Sequence, residues 1–152
     1  MMTDAHLLFS DEQSLAINVG TALSDKSIDL GASATDTLGN TVISDIGRGT
    51  QIEVFCQITT AVVASGGSAT LQVELVMADD EALSTNLVVL HATAAIAKTV
   101  LVAGYQFRLG GTPSPGVSSR YLGLRYTVAT ANIDSGNITA GLVKDRQSNP
   151  KV

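Results

Sequence analysis

The sequence has no tryptophan, one cysteine, two histidines and few charges, and each shortage removes a class of protein. With aromatic residues at only 4%, it lacks the ring platform on which a carbohydrate-binding sandwich usually stacks its ligand. Cys56 has no partner for an internal disulfide, and its phase with Ile52, Val54 and Ile58 marks a small buried apolar residue rather than a reactive thiol. His6 and His91 are the only histidines, so acid–base and nucleophilic catalysis lack an evident base. No G-x-S-x-G elbow, H-E-x-x-H pair or C-x-x-C occurs. The expectation is a protein that is not an enzyme and holds no cofactor and no metal.

Charged residues make up 15% of the chain, against about 25% in ordinary domains. Ala, Val, Leu, Thr, Ser and Gly fill the remainder, which excludes disorder and suits a sheet protein with a neutral surface that partners partly cover. At 152 residues the chain fits one domain with a core that needs no disulfide. Its net charge of −5 argues against direct nucleic-acid binding, which needs a basic field. The charge is unevenly spread: residues 1–81 carry twelve acids and two bases, Lys26 and Arg48, whereas residues 82–152 carry two acids, Asp134 and Asp145, and seven bases. Either strands from the two halves interleave and neutralise one another, or the asymmetry serves head-to-tail contacts. No basic residue precedes Leu7-Leu8-Phe9, so a signal peptide is not expected. The longest apolar run, Leu87 to Gly104, is broken by His91 and Lys98 and falls short of a membrane span.

Alternation of apolar and polar residues dominates from Thr50 onward. Ile52, Val54, Cys56 and Ile58 oppose Gln51, Glu53, Phe55 and Gln57, and Leu71, Val73, Leu75 and Met77 oppose Thr70, Gln72, Glu74 and Val76. Joined by Ser65-Gly66-Gly67-Ser68, these two runs read as a long antiparallel hairpin. Asp79-Asp80-Glu81 reads as a solvated tip leading to a third run, Leu87 to Ala92; Ala94 to Val102 reads as irregular or strand. Tyr105, Phe107 and Leu109 alternate before a Gly/Pro loop around Pro113, and further strands cover Leu122 to Val128 and Ile138 to Leu142. About eight strands with almost no helix predict an all-β antiparallel sandwich or jelly roll, with a closed barrel as the alternative. Residues 1–14 read as an extended N-terminal arm, in which Ser10 to Gln13 has the spacing of a capping box; residues 15–145 form the domain and 146–152 a polar tail.

Two chemical motifs fail on context. Gly47-Arg48-Gly49 leads into a strand where a dinucleotide fingerprint requires a helix, and Asp79-Asp80-Glu81 has no calcium-loop spacing after it. The one concentration of basic and aromatic residues is Arg108, Arg120 and Arg125 with Tyr105, Tyr121 and Tyr126. Tyr and Arg are favoured at protein interfaces, since each buries area while keeping a polar handle, although the same residues also occur on ordinary sheet faces.

Five strings, in order, carry a resemblance: Leu8-Phe9-Ser10-Asp11, Ile28-Asp29-Leu30-Gly31, Asp45-Ile46-Gly47-Arg48-Gly49, Leu101 to Phe107, and Arg120 to Val128. Over nearly its whole length the chain resembles the capsid cement, or decoration, proteins of tailed bacteriophages of the Bordetella-phage type. The resemblance implies a jelly roll without a catalytic site, placed on the outer surface of a DNA-filled head. There it would act as a homo-oligomer, dimer or trimer, bridging major capsid protein subunits, with no membrane partner. Leu8, Phe9 and Asp11 in the arm, Pro113 in its loop, and Arg120, Tyr121 and Arg125 are the candidate contacts with the capsid or a second copy. A carbohydrate- or receptor-binding module of a phage particle is the alternative function.

Overall fold

Strand formation follows the alternation: β-branched and small apolar residues at every second position give each strand one face to bury and one to expose. The computed structural model describes residues 5–31, 33–35, 37–43, 53–110 and 119–143. Among the described residues one 3-10 turn, Ala5–Leu7, precedes twelve strands: β1 (Leu8–Ser14), β2 (Gly20–Leu23), β3 (Ile28–Asp29), β4 (Ser33–Thr35), β5 (Thr41–Ile43), β6 (Glu53–Val63), β7 (Thr70–Ala78), β8 (Val88–Ala92), β9 (Ile96–Ala97), β10 (Gln106–Gly110), β11 (Tyr121–Ala129) and β12 (Ser135–Val143). They build two antiparallel sheets, in the orders β1-β12-β6-β10 and β2-β11-β7-β8. In the second sheet both edges are broken strands: β3 continues the β2 side against β11, and β9 continues the β8 side against β7. β4 and β5 pair with each other in a separate two-stranded sheet.

One hydrophobic core lies between the sheets. Phe9, Val54, Cys56, Ile58, Ile138 and Leu142 enter it from the first sheet, and Leu71, Val73, Leu75, Leu122, Leu124 and Tyr126 from the second. Each such aliphatic side chain withdrawn from water contributes roughly 1.5–3 kcal/mol before chain entropy is counted. Tyr126 brings a hydroxyl into this core, and it is satisfied there. Its Oη lies 2.7 Å from Ser10 Oγ, and Ser10 Oγ in turn donates to Gln13 Oε1 at 2.6 Å. Gln13 then donates to the Leu23 carbonyl and accepts from the Asp25 N–H, so one polar chain ties the β1 edge of one sheet to the β2 edge of the other. The Lys26 N–H to Phe9 carbonyl bond reinforces the same seam.

Three sequence readings are corrected by this arrangement. The two runs read as a hairpin, β6 and β7, do not pair; they lie in different sheets, and residues 64–69 carry the chain across the core as an arch. Alternation alone gives both strands an inward face and is silent about which neighbour each one bonds. Residues 8–14 are not a free arm, because β1 pairs with β12 and Phe9 is fully buried. The capping-box spacing of Ser10 and Gln13 is real as a hydrogen bond but sits in a strand, where a helix is precluded by the ladder to β12. The charge asymmetry resolves toward interleaving. Glu53 with Arg108, Asp29 with Arg120 and Glu74 with Arg125 each join an acid of the first half to an arginine of the second, at 2.6 Å.

The registers also sort the connections. Residues 15–19, 64–69, 98–100 and 130–134 lie at one end of the sandwich, and residues 101–105 run back from it along the β6 edge, where the Leu101 carbonyl accepts from the Val62 N–H and the Tyr105 carbonyl from the Ile58 N–H. The 3-10 turn, residues 24–27 and the β7–β8 loop lie at the other.

Candidate functional site

β11 holds two of the candidate contact residues, Tyr121 and Arg125, and Arg120 immediately precedes it. Inward-facing Leu122, Leu124, Tyr126 and Val128 leave Tyr121, Gly123, Arg125 and Thr127 on the outer face of the second sheet. Arg125 lies opposite Glu74 on β7, and its Nε donates to Glu74 Oε2 at 2.6 Å while Thr127 Oγ1 donates to the same oxygen at 3.1 Å. Glu74 is 9% exposed. The Arg125 hydrogen bond holds its carboxyl below the usual glutamate range against the opposing effect of burial. Arg120, at the start of the strand, is clamped by Asp29 through two parallel bonds, Nε to Oδ1 at 2.6 Å and Nη2 to Oδ2 at 2.7 Å. Its stem runs against Gly31, where a Cβ would come within 3.0 Å of it, and its guanidinium sits 5.3 Å from the Tyr121 ring centre. The aromatic-basic concentration is therefore a set of internal pairs that stiffen one sheet face. Arg120, half exposed, keeps the most surface for a partner.

The other candidates separate. Leu8 packs on the outer side of the first sheet against Gly141, at whose position a Cβ would lie 3.0 Å from the leucine Cδ2. Phe9 points the opposite way into the core, whereas Asp11 is exposed. Pro113 lies outside the described residues. Arg108, on β10, reaches Glu53 across the strand pair, and His91 lies against Gly110 at the facing sheet edges. Burial pushes the Cys56 thiol far above its ordinary value.

Sequence reasoning missed the organisation of the acidic loop. Asp79-Asp80-Glu81 is not a bare tip: the Asp80 carboxylate accepts from the Ser84 N–H, the Ser84 hydroxyl and the Thr85 N–H, which holds it below the usual aspartate range. This folds residues 79–87 back over the second sheet and drives Leu83, 2% exposed, against Val76 and Ala78. Gly123 makes the room, since a Cβ there would fall 2.2 Å from Leu83 Cδ1. A lone leucine among polar residues, facing a glycine in an otherwise bulky strand, was the available signal. Beside the loop, His6, Ser24, Asp25, Lys26, Glu81 and Leu83 line an open groove of about 510 Å³. Among the described residues no group of three or more His, Cys, Asp or Glu is placed to hold a metal, and no helix is long and apolar enough to cross a membrane.

Fold and surface together define an all-β, two-sheet sandwich whose arginine–carboxylate pairs bind its own strands to one another. The family model for Bbp16, a Bordetella phage protein, matches residues 9–142, and the chain belongs to that family. The match runs from the core residue of β1 to the last buried leucine of β12, the whole sandwich. No curated protein matches the chain. Membership makes this a phage-related protein and is compatible with a structural role in the virion.

Proposed function

We propose that the chain is a capsid cement protein, a non-enzymatic homo-oligomer that binds the outer surface of a phage head and bridges major capsid protein subunits. The observation that carries the reading is the family match across residues 9–142. A cement protein needs a stiff body with repeated surface contacts. The cross-half ion pairs and the Tyr126–Ser10–Gln13 chain supply stiffness. The strand order supports the jelly-roll part of the reading. Counting the eight sandwich strands in chain order and leaving out β3, β4, β5 and β9, the sheets run first-eighth-third-sixth and second-seventh-fourth-fifth, the alternation of two nested Greek keys. Co-sedimentation of the purified protein with undecorated heads tests attachment. Saturable binding at a fixed ratio to the shell subunit is the expected result, and absence of binding at any concentration rejects the role.

A further inference from the structure

The segment between β7 and β8, residues 79–87, is a strap folded on itself. Most of its hydrogen bonds stay within it: the Asp80 carboxylate gathers Ser84 and Thr85, the Asp79 N–H donates to the Thr85 carbonyl, the Asn86 amide to Asp79, and the Leu83 N–H to the Asp80 carbonyl. Among the described residues one hydrogen bond ties residues 80–86 to the rest of the chain, from the Ser27 hydroxyl to the Glu81 carbonyl at 3.0 Å. That bond is exposed, so water competes for it.

Leu83 is therefore what holds the strap down. It is the one buried residue of the strap, and it covers Val76 and Ala78, which are fully buried although they face away from the core. Leu23, Leu87 and Tyr121 pack around this small cluster, which is separate from the core between the sheets. The backbone pulls the other way. Leu83 holds a φ of 53°, in the left-handed region that a leucine rarely adopts, so burial of its side chain opposes a conformational penalty in its main chain. Beside it the strap borders open space, with Glu81, Ala82 and Leu83 forming one wall of the groove and residues 24–27 the other.

The surroundings suit a strap that lifts. It sits at the end of the sandwich that carries Asp25, Lys26, Asp29, Asp79, Asp80 and Glu81, whereas residues 15–19, 64–69, 98–100 and 130–134 at the other end contain two charges, Lys98 and Asp134, each held by an internal hydrogen bond. A lifted strap keeps its polar side chains in water, and Leu83 alone gives up a buried position.

We propose that the strap is a latch: it swings away from the second sheet as one piece, draws Leu83 from the socket at Gly123 and joins that socket to the groove, while both sheets and the core between them stay closed. Opening withdraws one aliphatic side chain from its contacts, whereas unfolding the sandwich withdraws the whole core, so the open state lies well below global unfolding. The bonds around Asp80 need not break for the strap to move, so it recloses without having to refold.

Thiol labelling tests the latch, with the buried Cys56 as an internal standard for opening of the core. Val76→Cys and, separately, Ala78→Cys place a second thiol beneath Leu83. In the folded full chain each introduced thiol should react with a maleimide at least about a hundredfold faster than Cys56, each rate being divided by that of the same thiol in the urea-unfolded chain. The faster rate should change little in dilute urea, because opening exposes little surface. Leu83→Ala should speed the reaction of the introduced thiol at least about tenfold, and Val19→Ser, at an exposed position of the opposite end, should leave it unchanged. Circular dichroism and thermal melts establish that each variant is folded. Introduced thiols that react no faster than Cys56, with its urea dependence, overturn the latch, because the strap then leaves only when the sandwich unfolds. Fast labelling that is indifferent to Leu83→Ala overturns it as well, since the leucine is then not what holds the strap.

Discussion

Glu74 shows how one side chain commits to the fold. Its carboxylate is nearly buried and accepts from Arg125 and Thr127, which lowers its proton affinity in the folded state. A carboxyl with a depressed folded value contributes stability that is present above its unfolded value, near 4.5, and lost as pH falls through the folded one. Glu74→Gln should therefore flatten the acid side of the stability profile relative to wild type, measured by urea unfolding from neutral to acidic pH. Parallel profiles would show that the pair makes no linkage contribution. The residue types at this site were legible in the sequence, since Arg125 and Glu74 stood out on alternating strands. Their pairing was not, because strand neighbours 51 residues apart are fixed by register and not by pattern.

At the level of elements, the strands themselves were readable and their partners were not. Leu122 to Val128 and Ile138 to Leu142 lie in the predicted strands with the predicted faces inward. β1 escaped because Ser10, Asp11, Glu12 and Gln13 break its alternation, and only Leu8 and Phe9 signal burial; its ladder to β12 also carries register shifts. Its place in the sheet sets a clear contrast. Phe9→Ala should cost about 3–5 kcal/mol, and deletion of residues 1–14 should abolish cooperative unfolding, whereas Asp11→Ala should stay within about 0.5 kcal/mol. A truncated chain that melts like the intact one would contradict the assignment of β1 to the sandwich. The acidic loop makes a second element-level case. Gly123→Ala should cost about 1–3 kcal/mol and speed amide exchange across residues 79–87, because the new methyl displaces Leu83. Combining it with Leu83→Ala should cost less than the sum of the two changes. Strict additivity would mean that the glycine is not there for the leucine.

The whole molecule is a stiff two-sheet body with a neutral end and a charged end, and this polarity was the least legible feature of all. The sequence displays its acids and bases by halves, but strands of the two halves interleave, and the charge that survives as a spatial asymmetry follows the connections instead. Lys98 and Asp134 look like ordinary surface charges until their partners, the Ala64 carbonyl and the Ser65 N–H, are seen. Under the proposed cement role, stabilisation of the head would come from mass action. A ligand that bridges subunits only in the intact shell stabilises it by roughly 2.7 kcal/mol per site at a hundredfold excess over Kd. Under that proposal many modest contacts would act together, and avidity would carry the attachment.

That role has a direct measurement, the temperature at which heads release their DNA, read with an intercalating dye on the same preparation before and after saturation with the protein. Decorated heads should release DNA at a higher temperature, and the increment should grow with occupancy and level off at saturation. Heads shown by sedimentation to be fully occupied, yet releasing DNA at the temperature of undecorated ones, would contradict the cement function.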